Sequence, residues 1–184
     1  MIVNLRGTGG SGKSTLVRTI MECYPARAPL LRAGRKQPWG YNCYGLDGHP
    51  WLWVVGHYET ACGGADTITK PAEVFESVET AAKNGLDVIF EGIISQDDVT
   101  RTALLHRDYP LKVIALKVPI ETCLASIQAR RDARGDTRPL KETNTRARAK
   151  SLIRTIERLR DAGVDASWMD REAALAAAKE ALKL

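Results

Sequence analysis

Nine residues near the start of the chain, Gly7-Thr8-Gly9-Gly10-Ser11-Gly12-Lys13-Ser14-Thr15, combine four glycines, four hydroxyl side chains and one lysine in the spacing G-x-x-x-x-G-K-S. Glycines adopt backbone angles that other residues resist, so consecutive amide N–H groups can turn inward around phosphate oxygens. A helix opening at Ser14 aims the positive end of its dipole at the same point. Lys13 then sets an ammonium against the β- and γ-phosphates of a nucleotide, and the Ser14 hydroxyl is placed to ligate Mg²⁺. The expected ligands are ATP and Mg²⁺, and the expected chemistry is phosphoryl transfer.

Such a site needs an acidic residue at the end of a buried strand, to hold Mg²⁺ through water or to polarise the nucleophile. Val88-Ile89-Phe90-Glu91 offers one, since a glutamate on so apolar a strand is costly to bury without a partner. A plain carboxylate at a strand edge is the other reading of Glu91. Arg130, Arg131 and Arg134 precede a Gly-Asp-Thr-Arg-Pro loop containing Arg138, where arginines suit a lid that spreads charge off the transferring group. Arg130 and Arg134 are the catalytic candidates of that group; a solvated helix face is the alternative.

These side chains need a scaffold, and strands alternate with helices in the pattern of a parallel sheet covered on its faces. Ile2 to Leu5 reads as a strand, followed by the glycine turn and a helix over Ser14 to Cys23. Pro25 to Pro50 reads as loop with one strand around Tyr41 to Leu46. Trp51 to Val55 is a strand, and a helix starting at Pro71 ends at Asn84-Gly85. After Val88 to Phe90 come a helix over Gln96 to His106, a buried strand over Leu111 to Val118 and a helix over Ile120 to Arg134. A further helix buries Leu152, Ile153, Ile156 and Leu159, and Val164 to Ser167 and Arg171 to Leu182 form a last strand and helix.

At 184 residues the chain fits one domain, 1–184. No apolar run approaches the roughly 20 residues of a membrane span, and no signal peptide is visible, so a cytoplasmic location with no membrane partner is expected. Cys23, Cys43, Cys62 and Cys123 form no C-x-x-C pair and read as free thiols. Charge is unevenly placed. Residues 130–160 hold eleven cationic and four acidic side chains, a net of +7, whereas the whole chain carries +5 and its remainder −2. A polyanionic partner and a solvated face with lid arginines both account for this segment.

The order of glycine loop, Glu91 strand, Leu111 strand, arginine helix and terminal strand–helix resembles the nucleoside monophosphate kinases, thymidylate kinases included. That resemblance implies an α/β P-loop kinase fold: a three-layer sandwich with a parallel sheet and a helical, arginine-bearing lid over about residues 130 to 150. A narrower resemblance lies in Met1-Ile2-Val3-Asn4-Leu5-Arg6-Gly7 with its loop, and in Gly56-His57-Tyr58-Glu59-Thr60-Ala61-Cys62-Gly63-Gly64-Ala65-Asp66-Thr67. Both segments are similar to the bacteriophage 5-hydroxymethyluracil DNA kinases. The resemblance implies phosphorylation of the 5-hydroxymethyl group of a base within DNA, a step toward hypermodified thymidine that shields phage DNA from restriction, in the host cytoplasm. The Asp-Arg-Tyr segment of thymidylate kinases is missing, since Gly92-Ile93-Ile94 follows Glu91. The departure weakens a free-nucleotide acceptor, although a small-molecule kinase and a nucleotide-dependent switch share the same loop.

A base inside DNA must be swung out or presented single-stranded, which calls for a basic track and aromatic faces. Arg32, Arg35 and Lys36 or the 130–160 segment could supply the first. Trp39, Tyr41, Tyr44, Trp51, Trp53 and Tyr58 could supply the second, unless they are ordinary packing residues; Trp51 and Trp53 are expected on one strand face. The acceptor hydroxyl needs a carboxylate to orient it and take its proton. Asp66, beside Gly63-Gly64, is the first candidate and Asp47 the second, both also explicable as turn residues. Tyr58, Gly63 and Gly64 complete the expected substrate site, and His57 is either a phosphate contact or a satisfied histidine.

Overall fold

The computed structural model describes residues 1–60, 63–92 and 98–184. Among these residues seven strands form one sheet: β1 (Ile2–Arg6), β2 (Ala26–Leu30), β3 (Gly40–Tyr44), β4 (Pro50–Val55), β5 (Asp87–Glu91), β6 (Leu111–Leu116) and β7 (Asp165–Met169). Six α-helices among the same residues accompany them: α1 (Lys13–Met21), α2 (Pro71–Lys83), α3 (Asp98–Asp108), α4 (Ile120–Asp132), α5 (Glu142–Asp161) and α6 (Arg171–Ala181). The spatial order is β2-β3-β4-β5-β1-β6-β7.

From β4 to β7 every neighbouring pair is parallel, with Leu5 opposite Glu91 on one side and Ile114 on the other. The expected parallel sheet thus runs from β4 to β7, and the other edge adds a hairpin, where β2–β3 and β3–β4 pair antiparallel. That hairpin occupies the stretch read as loop, so 25–50 contains two strands rather than one. Its strand signal is weak because β2 is Ala-Arg-Ala-Pro-Leu, an almost wholly exposed edge strand with no apolar alternation to detect.

Period-2 alternation sorts the strands into two apolar layers. Ile2, Val88, Phe90, Leu111 and Val113 face α2, α3 and α5 through Phe75, Val78, Leu105, Ile156 and Leu159. Val3, Leu5, Ile89 and Ile114 face α1 and α6 through Val17, Ile20, Ala174 and Ala178. Helices on both faces make the expected three-layer sandwich. Small side chains at Ala174 and Ala178 let α6 lie close to the sheet, both being fully buried.

Trp51 and Trp53 do not share an environment. The β3–β4 register shifts between Cys43 and Tyr44, which pair with Leu52 and Pro50, so Trp51 has no partner across the ladder. It is 55% exposed, whereas Trp53 is in the core. Among the described residues no helix is long and apolar enough to cross a membrane. Cys23, Cys43 and Cys123 are free thiols; Cys62 lies outside the described residues.

Candidate active site

The phosphate loop begins where β1 ends, at the carboxyl edge of the parallel strands, where open α/β sheets place their ligands. Gly12 caps α1 with φ +100° and Gly10 stands at φ +83°. A Cβ at Gly10 would collide with the backbone carbonyl of Cys123 in α4, so the loop needs glycine there for space as well as angle. The Ser11 hydroxyl is buried without a hydrogen-bond partner. Lys13 Nζ donates to the Gly7 carbonyl at 2.9 Å and the Thr8 carbonyl at 3.4 Å. Left-handed glycines, an unsatisfied hydroxyl, an ammonium and a helix amino terminus together fit the phosphates of a nucleotide. The loop borders an open cleft of about 840 Å³ that Gly9, Gly10, Gly12, Lys13, Ser14 and Thr15 line.

Glu91 closes the far wall of this cleft. Its place at the end of β5, on the same sheet face as Ile89, turns the carboxylate toward α1. The side chain is buried, with Oε2 3.9 Å from Lys13 Nζ and Oε1 unpartnered. Burial raises its pKa above the ordinary carboxylate value; the Lys13 ammonium and the Ser14 hydroxyl oppose that rise.

Residues 63–67 pack against this carboxylate through Gly64. Gly64 exchanges backbone hydrogen bonds with His57 and stands at φ +93°, where a Cβ would lie 2.8 Å from Glu91 Oε1. A short 3₁₀ turn, Ala65–Thr67, follows and carries Asp66 exposed at the cleft, beside Gly63. Gly63 and Asp66 thus line the same cleft as the phosphate loop, with Gly64 between them against Glu91. Tyr58 is not at the cleft. It is buried behind Glu91, its ring 6.4 Å from that of Tyr41, and its pKa stands well above normal through burial and the Glu91 charge. His57 is buried, with Nε2 3.1 Å from the Thr60 hydroxyl and Nδ1 without a hydrogen-bond partner.

Other candidates separate. Arg130 lines the cleft, but Arg134 is exposed beyond the end of α4 and does not. Arg131 turns back to Asp136 at 3.2 Å. Asp47 lies in the β3–β4 turn, accepting from the His49 backbone N–H and from Trp51 Nε1 at 3.1 and 3.2 Å. It is a turn residue away from the cleft, as Asp beside Gly commonly is. Trp39 and Trp53 are buried and both donate to the Ser77 hydroxyl.

Two arginines line the cleft that pattern reasoning overlooked. Arg18 donates to the Tyr58 and Thr60 carbonyls at 2.8 and 2.6 Å, fastening residues 58–60 to α1. Its signal was present: it stands one helical turn after Ser14. Arg171, first residue of α6, donates to the Ser11 carbonyl at 2.8 Å from 160 residues away, and no local pattern marks it. A third overlooked group, Arg6, makes a buried bidentate pair with Asp98 and bonds Asn4 and Thr102, bracing the end of β1 against α3.

A glycine loop between β1 and α1, an acid on the neighbouring strand and an arginine across the cleft define a P-loop phosphotransferase of the kinase type, with ATP as phosphate donor. No protein-family model matches the chain. It is 40% identical over 184 residues to a 5-hmdU DNA kinase of Pseudomonas phage PaMx11, covering 99% of this chain and 97% of that one. The chain belongs to the 5-hmdU DNA kinase family. Proteins of that name from Bacillus phage SP10 and Delftia phage PhiW-14 are each 26% identical, over 91% and 89% of this chain but only 26% and 65% of their own lengths. A deoxyadenosine kinase from M. mycoides, solved with dCMP and dCDP, shares the fold with a TM-score of 0.50 at 15% identity, covering 100% of this chain and 99% of that one.

Proposed function

We propose that this chain transfers the γ-phosphoryl group of ATP to the 5-hydroxymethyl oxygen of 5-hydroxymethyluracil within DNA. The observation that carries the reading is the apposition of the Gly63–Asp66 turn with Lys13 and Glu91 in one cleft, in a chain 40% identical to a named 5-hmdU DNA kinase over nearly its whole length.

The acceptor oxygen forms a bond to the γ-phosphorus as the bond to the β–γ bridging oxygen breaks and ADP departs. Asp66 orients the acceptor hydroxyl and takes its proton late in a loose transition state. Lys13 and Arg130 hold the charge that develops on the transferred oxygens. Ser14 and Glu91, the latter through water, would hold Mg²⁺, which neutralises charge on the phosphates. Among the described residues no three His, Cys, Asp or Glu side chains converge on a metal position, in keeping with a cation bound largely by phosphate and water.

The base must leave its stack to enter the cleft, so unpaired or weakly paired positions should react fastest. The proposed unit is one kinase domain, 1–184, with a lid over about residues 130 to 150. It works in the host cytoplasm on DNA destined for thymidine hypermodification and protection from restriction. Labelled ATP incubated with plain DNA, 5-hydroxymethyluracil DNA and free nucleosides tests the proposal. Label should enter only the modified DNA and resist end-directed phosphatase. Label in free nucleosides alone would replace this reading with that of a nucleoside kinase.

A further inference from the structure

Two basic surfaces compete for the role of DNA backbone track, and their surroundings differ. Five of the eleven cations in 130–160 are engaged within the fold. Arg131 and Arg138 pair with Asp136, and Arg146 pairs with Glu121 and Glu142. Arg130 and Arg160 donate to backbone carbonyls. Lys150, Arg154 and Arg158 are exposed on the outer face of α5, a helix packed on α3, α4 and β7, and none of the three lines the cleft.

The β2–β3 hairpin is different. Residues 23–46 contain Arg27, Arg32, Arg35 and Lys36 and no acidic residue. Arg32 and Lys36 are exposed at its tip, and neither has a carboxylate partner among the described residues. The tip is also built into the acceptor side of the cleft. Arg35 donates to the Thr67 carbonyl at 3.1 Å, one residue from Asp66, and its Nε is buried without a partner. Arg32 lies 3.4 Å over the ring of Trp39, a ring held by its bond to Ser77. The Trp39 carbonyl in turn accepts from Gly56, where the acceptor segment begins. A stacked guanidinium on a fixed ring is preorganised for a phosphate, because little rotamer freedom is left to lose.

We infer that the β2–β3 hairpin tip, through Arg32 and Lys36, docks the DNA backbone beside the reacting base, and that the α5 face does not. The inference rests on the reading of DNA as acceptor. Fluorescence anisotropy with a labelled single-stranded oligonucleotide carrying one 5-hydroxymethyluracil tests it. The pair Arg32→Ala/Lys36→Ala is compared with Arg154→Ala/Arg158→Ala, and calorimetry follows ATP in both. The hairpin pair should weaken oligonucleotide binding by about tenfold or more and flatten the slope of log Kd against log salt by roughly 1.4, two phosphate contacts' worth on a single strand. ATP affinity should hold, and the α5 pair should bind the oligonucleotide as the wild type does. Lys36→Glu, which leaves the Arg32–Trp39 stack intact, should weaken binding as well, separating docking from damage to the hairpin. Wild-type binding by the hairpin variants, or an equal loss in the α5 pair, overturns the inference. A protein that binds through the hairpin yet labels no DNA would keep the docking surface and lose the acceptor assignment. Labelling unaffected by the hairpin variants would do the reverse.

Discussion

Gly64 stands against the carboxylate of Glu91, so close that a Cβ at position 64 would lie 2.8 Å from Oε1. A loop residue and a strand residue thereby share one wall, with residues 65–67 on one side and the phosphate loop on the other. Gly64 also holds φ +93° and ψ −169°, a region open essentially to glycine alone, at a cost on the order of 1–3 kcal/mol for other residues. Gly64→Ala should displace the Asp66 turn and lower the transfer rate about 100-fold, the usual effect of roughly 1 Å of misplacement. ATP affinity, read by calorimetry, should change little, because the nucleotide loop itself is untouched.

Glu91 ties stability to pH in an unusual direction. Its folded-state pKa is raised, first by burial, so the neutral form is the one the fold favours. The stability this contributes is full below the ordinary glutamate value and is lost as pH rises through the folded one. At neutral pH Glu91→Gln should therefore melt a few degrees higher than wild type, with the gap closing toward low pH. Transfer should fall by orders of magnitude in the same variant. In the wild type, the acid limb of the kcat/KM profile should lie above the ordinary carboxylate range. A lower melting temperature for Glu91→Gln at pH 7 would refute this account.

Lys13 bonds the carbonyls of its own loop as well as facing Glu91. Lys13→Ala should reduce turnover by orders of magnitude with circular dichroism unchanged, since the glycine conformations do not depend on the ammonium. Normal turnover in that variant would sink the assigned site.

Asp98 neutralises Arg6 in an environment where both are about 95% buried. Asp98→Ala leaves a buried guanidinium without its counter-charge and should destabilise the protein by about 3–5 kcal/mol in urea unfolding. Asp98→Asn, which retains an acceptor for one of the hydrogen bonds, should be milder.

How much was legible in the residues differs from element to element. The phosphate loop was readable because its spacing of glycines and lysine is a local signal, although Gly10 and Ser11 also meet Cys123 and Arg171 from distant helices. Glu91 was readable from the cost of ending an apolar strand on a charge. Arg130 and Arg134 looked equivalent, yet only Arg130 lines the cleft. Arg130 stands on the last turn of α4 whereas Arg134 falls beyond the end of that helix, a boundary that the spacing of the arginines does not state. Asp47 and Asp66 both sat beside glycines after aromatic residues. Only the packing of Gly64, two residues from Asp66, against Glu91 separated them.

Local chemistry in the chain was therefore enough to determine a nucleotide-gripping loop, an acid opposite it and an α/β scaffold, since each depends on residues close in sequence. The antiparallel hairpin edge, the Arg171 and Arg18 contacts and the Arg6–Asp98 pair were decided by the tertiary structure alone. Those features join residues from 40 to 160 positions apart in the arginine contacts, and their energies exist only once the sheet has brought the partners within hydrogen-bonding reach.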